Sequence, residues 1–330
     1  MARRAARDRI SKAARILALA IMLPVCAAAF VRAQEAQQAP AADSPALKEL
    51  TGDDWRSQIR VLRIGVLSSG DAARALAMAE PFRAHMQETL GLRVELIPAR
   101  DMQALIDAIV NARVDYARLS ASAFATGWAL CRCLEPLAAP LASDGTDSYN
   151  AIAVTRAGSG ISRLVDLKDK AVVFAGAGSV SGYMVPVAAL REQGINTDRF
   201  FSRQTQATGP EAAIAAMMRG DYDAAFAWSS LAGDQAEGYS RGPLHRMVAQ
   251  GRLAMDEVRI AWRSDPIPHP PQVVRANLPE ALKSQLRAAL FDLLAADPLA
   301  YDAAEPAFSG GFTAVTRDGY GVLLHAFTPK

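Results

Sequence analysis

The order in which strand-like and helix-like segments follow one another restricts this chain more than any other feature, because the same order occurs twice. From Ile59 the run IRVLRIGVL reads as a strand, Ala75 to Leu90 as a helix, LRVELIP as a strand, Met102 to Asn111 as a helix and VDYARL as a strand. A second series opens after Tyr149 with NAIAVT, the short helical SRLVDLKDK and the strand AVVFA. A helix from Gly182 to Gln193 closed by Gly194, the run RFFSRQT, a helix from Glu211 to Arg219 and the strand YDAAFAW complete it. Strands separated by helices build parallel sheets, so the expected class is α/β: two lobes, each a mostly parallel sheet flanked by helices, with a ligand cleft between them. The strand VRIAW, the turn SDPIPHPP, the strand QVVR and a helix from about Glu280 to Leu294, opened by Pro279, read as the return to the first lobe. The expected boundaries are 57–147 plus 257–330 for lobe 1 and 148–256 for lobe 2, with hinges near Ser148 to Ala151 and Asp256 to Ile260. A chain of 330 residues suits two domains of ordinary size.

The N-terminus reads differently. A basic run from Met1 to Arg15 precedes the apolar segment ILALAIMLPVCAAAF and Val31-Arg32-Ala33. An apolar stretch of about 15 residues falls short of the ~20 a spanning helix needs. The expectation is therefore a cleavable Sec-type export signal over 1–33, a flexible tether over 34–56 rich in Ala, Gln and Pro, and a periplasmic destination. The signal holds seven basic residues and one acid, which leaves 29 basic against 33 acidic residues in the mature chain. That balance offers no basic stripe for nucleic acid or an anionic membrane. Cys26 falls in the signal, and Cys131 and Cys133 read as two semi-buried thiols or one local disulfide. No second cysteine pair or histidine cluster completes a metal site.

Ligands of open parallel sheets bind beyond the carboxyl ends of the strands. Those ends carry hydroxyls: Ser68-Ser69-Gly70, Ser120-Ala121-Ser122, Ser179-Val180-Ser181, Thr208-Gly209 and Trp228-Ser229-Ser230. The segment AVVFAGAGSVSGY is the most informative, since a buried strand runs through small residues into a helix start. Unpaired N–H groups, two hydroxyls and the positive end of the helix dipole there make an anion site without a cationic side chain. The expected oxyanion contacts are Ser69, Ser120, Ser179, Ser181 and Thr208. Trp228 reads either as a wall of the cleft or as core; Tyr183 and Phe124 read as core, and Arg118 as a surface arginine.

Enzyme readings fit less well. Gly176-x-Gly178-x-x-Ser181 approaches a dinucleotide fingerprint, but serine replaces the third glycine and RFFSRQT ends without the expected acid. A dinucleotide-dependent oxidoreductase is thus the weaker alternative. No Gly-x-Ser-x-Gly elbow surrounds either serine, and His85, His245, His269 and His325 show neither base nor metal spacing. Asp221 and Asp223 read as a cap. No catalytic residue, cofactor or metal is expected.

The runs LVDLKDKAVVFAGAGSVSGYMVP, TGPEAAIAAMMRGDYDAAFAW and IAWRSDPIPHPPQVVR resemble successive blocks of the PhnD-like phosphate, phosphite and phosphonate binding proteins, over most of residues 60 to 295. The resemblance implies a two-lobed type II periplasmic-binding-protein fold that closes on a small solute. It also implies delivery to an ABC permease and ATPase of the inner membrane by a monomeric carrier. The family's Ser-Thr-Ser-Gly motif corresponds to Ser179-Val180-Ser181-Gly182, and its Thr-Gly-x-His-Glu to the stretch around Thr208-Gly209-Pro210-Glu211. Valine at 180 removes one hydroxyl, and Pro210 stands at the histidine's place and has no N–H. Trp228, Ser229 and Ser230 stand where members that hold an amino group place a carboxylate, so an aminoalkyl phosphonate would bury an unpaired ammonium. The implied ligand is a small oxyanion of phosphonate, phosphite or phosphate type. An orphan or sensor-type binding protein for another small solute is the alternative.

Overall fold

The computed structural model describes residues 55–327; the expected signal and all of the tether but its last two residues lie outside them. Order starts earlier than Ile59. Trp55, in the short helix α1 (Trp55–Gln58), is 1% exposed and sits in the first lobe's core beside Leu62, Phe82 and Leu90.

Twelve strands among the described residues form two sheets. The first, in the order β12-β4-β11-β3-β1-β2, contains β1 (Val61–Leu67), β2 (Arg93–Ala99), β3 (Tyr116–Arg118), β4 (Leu134–Pro140), β11 (Gln272–Arg275) and β12 (Phe312–Ala314). The second, in the order β10-β5-β8-β6-β7 with β9 also on β5, contains β5 (Ser148–Arg156), β6 (Ala171–Phe174), β7 (Arg203–Gln206), β8 (Ala224–Ser229), β9 (Val258–Arg263) and β10 (Ile267–Pro268). In each sheet the three strands of the βαβ series run parallel, β2-β1-β3 and β7-β6-β8, as their alternation with helices requires. The crossing strands add antiparallel pairs on one side. The second crossing lies later than expected. Val258–Arg263, read as the return to the first lobe, pairs with β5 in the second sheet, and the chain rejoins the first sheet only at Gln272.

Helices cover both faces. α2 (Ala72–Leu90) and α3 (Met102–Val110) start at Asp71 and Asp101, whose carboxylates accept from Arg74 N and Ala104 N. α4 (Ala121–Cys131) starts at Ser120 and ends at a disulfide between Cys131 and Cys133, one of the two forms expected of that pair. In the second lobe a π-turn (Val180–Met184) runs into α5 (Val185–Glu192), followed by α6 (Thr197–Phe200), α7 (Pro210–Met218) and α8 (Pro243–Ala249). α9 (Glu280–Ala296) and α10 (Pro298–Ala304) pack on α2, and α11 (Gly321–Phe327) lies against both α4 and α5.

Each sheet is buried on both faces. In lobe 1, Ile64, Tyr116 and Val274 face α2 and α9, while Ala117 and Val273 face α3 and α4. In lobe 2 the rings of Phe174 and Phe226 stack at 4.6 Å, and Phe201 meets both edge-on. Tyr183 packs edge-on to Phe174, and Phe124 is fully buried against Tyr320, so both are core as expected. Asp115, 3% exposed, is compensated by Arg63 at 2.8 Å and Arg275 at 3.6 Å.

Candidate functional site

The second lobe brings four of the expected site residues, Ser179, Val180, Ser181 and Gly182, into one loop. β6 ends at Phe174, and the chain turns back so that Ser179 N donates to Gly176 O at 3.0 Å. Ser179 then caps the π-turn: its Oγ accepts from Gly182 N at 3.0 Å, and its carbonyl accepts from Tyr183 N and Met184 N. Val180 and Ser181, the first two positions of the turn, carry N–H groups with no partner inside it. Gly182 is required by close approach, because a Cβ there would stand 2.3 Å from Ala175 Cβ and 2.8 Å from Ser179 Oγ. Ser181 is 7% exposed, Ser179 and Val180 half-buried. The Val180 side chain packs with the apolar cluster that holds Phe124, Val185 and Tyr320, so only its backbone is available to a solute.

Thr208 lies beside this loop. Ala207 N donates to Phe174 O at 2.8 Å, which carries β7 past the end of β6 and leaves Thr208 exposed next to Gly176. Pro210 opens α7 and contributes no N–H. In the first lobe Ser69 is exposed with φ 45° in the turn after β1, and Ser120 Oγ accepts from Ala123 N at 3.1 Å and lies 3.2 Å from Ser122 Oγ. Both stand at the same edge of the first sheet, on neighbouring strands β1 and β3.

One expected residue, Ser229, serves the fold here. Ser229 has no exposed surface and its Oγ accepts from Leu231 N at 3.2 Å, a turn contact that leaves nothing to a solute in this structure. Trp228 is half-buried, edge-on to Tyr149 at 5.4 Å between ring centres. Burial pushes the Tyr149 phenol up to about 12, so it is a neutral donor at physiological pH.

Sequence reasoning did not reach two polar clusters. The first joins the crossing loop after β4 to the loop after β8. Arg241 donates to Asp144 at 3.2 Å, to Thr146 Oγ1 at 2.6 Å and to His269 Nε2 at 3.1 Å, while Ser240 Oγ donates to Asp144. Burial alone would raise the Asp144 carboxyl, but the Ser240 and Thr146 hydrogen bonds and the Arg241 charge prevail and hold it well below the usual carboxylate range. His269, 1% exposed, is lowered by burial; it accepts from Arg241 at Nε2 and donates from Nδ1 to Pro140 O at 2.8 Å. The second cluster corrects the reading of Arg118. It is no free surface arginine: its guanidinium binds the fully buried Glu305 at 2.6 and 2.7 Å.

Volume alone would point elsewhere. A groove of about 920 Å³ is lined by Asp147, Glu192, Asp265 and Asp318 against Arg263 and His325, and neither the five expected oxyanion contacts nor Val180, Gly182, Trp228 or Ser229 border it. Four carboxylates make it unsuited to an oxyanion. Among the described residues no cluster of His, Cys, Asp or Glu fits a metal, and no helix is long and apolar enough to cross a membrane.

Comparison with known proteins bears on the family and the fold of the chain. The chain is 24% identical over 225 residues to the phosphate-import protein PhnD of Mycolicibacterium smegmatis, covering 66% of each chain. It is 25% identical over 240 residues to the phosphonates-binding periplasmic protein of Escherichia coli, covering 69% of this chain and 65% of that one. The chain thus spans about two thirds of the length of these curated relatives. In fold it resembles XAC2383 from Xanthomonas citri, solved bound to ATP, with a TM-score of 0.55 at 20% identity over 82% of this chain and 97% of that one. Residues 64–320 match the family described as ABC transporter, phosphonate, periplasmic substrate-binding protein, and the chain belongs to that family.

Proposed function

We propose that this protein is the extracytoplasmic solute-binding component of an ABC importer and captures a small oxyanion of phosphonate, phosphite or phosphate type between its lobes. The observation that carries the reading is the start of the π-turn, where Ser179 and Ser181 and the N–H groups of Val180 and Ser181 stand together with no cationic side chain among them. Such donors stabilise a bound anion through charge-assisted hydrogen bonds worth about 1.5–3 kcal/mol each. The anion remains mobile enough to be handed on. Ser69, Ser120 and Thr208 complete the grip on lobe closure, and Trp228 walls the cleft.

An export signal over 1–33, a periplasmic mature chain acting as a monomer, and a permease with its ATPase as partners belong to the same reading, as does the absence of catalysis. Isothermal titration calorimetry with methylphosphonate, phosphite and phosphate tests it. The reading expects saturable heat with at least one of the three. No heat with any, together with strong binding of a different solute class, overturns it.

Two observations favour a second reading, a sensor or orphan carrier for another solute. The Val180 side chain is committed to an apolar cluster, and the Arg241 cluster ties the loop after β8 to the crossing loop. Both limit how the second lobe's loops rearrange around a solute.

A further inference from the structure

The first lobe contains a cavity that the oxyanion reading does not use. It measures about 250 Å³ and lies under the same edge of the sheet that carries Ser69 and Ser120, between the ends of β1, β3 and β11 and the helices α2 and α10. Strand parity builds it. Ile64 pairs with Tyr116, Val274 with Tyr116 and Gln272 with Arg118, so Ile64, Val66, Tyr116, Arg118 and Gln272 all project from one face. Phe82, Met102 and Ala303 close the apolar wall.

Its polar content is unusual. Arg118, at the rim, is neutralised by Glu305, so the cavity presents no free charge. Tyr116 Oη donates to Gln272 Oε1 at 2.7 Å, which fixes the amide. Gln272 is 1% exposed, and its Nε2 has no hydrogen-bond partner in the protein. A buried amide donor without a partner costs about 1–3 kcal/mol, so the site favours an occupant that brings an acceptor. The volume is below the ~300–1,000 Å³ of pockets that take a whole drug-sized ligand, which suits one group of a ligand.

We propose that this cavity is a second subsite that takes an uncharged organic group bearing one hydrogen-bond acceptor oxygen, held by Gln272 Nε2. Resting on the oxyanion reading above, the inference makes the preferred solute a phosphonate with a neutral, oxygen-bearing substituent: the phosphonate head lies at Ser179–Gly182 and the substituent enters the cavity. Charged substituents are excluded, since the cavity holds no uncompensated partner for them.

The test uses the full chain, its Gln272→Met variant and two phosphonates, methylphosphonate and 2-oxopropylphosphonate. Calorimetry should show 2-oxopropylphosphonate binding about tenfold tighter than methylphosphonate to the parent protein, with that advantage lost in Q272M and methylphosphonate affinity unchanged. Equal affinities in the parent, or an equal loss for both ligands in Q272M, overturn the proposal. A second arm needs no phosphonate. Adding 2-butanone should shift the Gln272 side-chain amide signals in a ¹⁵N-labelled sample, and an Ala303→Leu variant, which fills the cavity, should abolish that shift. No shift means the cavity takes water only, and the proposal falls. If neither phosphonate binds but 2-butanone shifts Gln272, the oxyanion reading fails while the subsite stands.

Discussion

The two edges that face the cleft solve different chemical problems. On the second lobe, the edge is backbone amides and hydroxyls at the start of a helix, arranged so that Gly182 lies against Ala175 and Ser179. On the first lobe, the corresponding edge pairs Arg118 with a buried carboxylate and leaves an amide donor inside an apolar cavity. Uncharged donors at a helix start suit a negative head group. A charge-compensated apolar cavity suits a neutral tail. On the proposed reading, specificity is divided by lobe, and counting serines reveals only half of it.

The largest expected effect is at the second lobe. Gly182→Ala places a methyl group against Ala175, where relief requires the backbone to move, so stability should fall by about 1–3 kcal/mol. Methylphosphonate affinity should fall at least about 100-fold, the value of two charge-assisted hydrogen bonds displaced. Chemical denaturation and calorimetry on the same sample read both; retained affinity in a folded variant would break the comparison. At the first lobe the effect should be on stability alone. Glu305→Ala removes the buried partner of Arg118 and should destabilise by about 2 kcal/mol, less than the 3–5 of a fully buried pair because Arg118 is 35% exposed. Methylphosphonate affinity should stay within about twofold of the parent; a loss like that of G182A would erase the division by lobe.

A matched pair of caps sharpens the contrast. Ser179→Ala and Ser120→Ala each remove an N-cap acceptor and should each lower stability by about 1 kcal/mol. Only their affinities should separate. S179A is expected to weaken methylphosphonate binding by about tenfold or more, and S120A by less, so equal losses would place the two lobes on the same footing.

The smallest effect concerns pH. His269 has a folded-state pKa below its unfolded value, so the unfolded chain binds the extra proton first as pH falls below about 6.5. Its stability contribution is present above that pH and declines as pH drops toward the folded-state value. The melting temperature should therefore fall between pH 7 and pH 5, with a shallower fall in His269→Gln. Identical slopes in the two proteins would remove His269 from the account.

Much of the fold could be read from the chain because alternation is local. The two βαβ series, the helix start at Ser179 and the helix from Glu280 each lie within a dozen or so residues of their own signals. Other elements carried weaker ones. α4, ASAFATGWALC, has no clean apolar period, since Gly127 is there to let Leu134 approach, where a Cβ would stand 2.8 Å from its side chain. β4 contains Pro136 and Pro140, which argue against a central strand. VRIAW was legible as a strand but not as a partner of β5, because pairing is a long-range property. For the site the same line divides success from failure. The Ser179 cradle is contiguous, whereas Tyr116 and Gln272 are 156 residues apart and Arg118 and Glu305 are 187 apart. The parity of Arg118 is obscured further, because Val114, outside β3, lies in the opposite core from Tyr116.

The most direct measurement is the response of the Val180 and Ser181 backbone amides to methylphosphonate in a ¹H–¹⁵N correlation spectrum of the full chain. The account predicts large downfield shifts of both signals on titration, with Gly182 close behind, as charged oxygens accept from N–H groups that have no partner inside the turn. Shifts confined to residues remote from this turn, with Val180 and Ser181 unmoved at saturation, would contradict it.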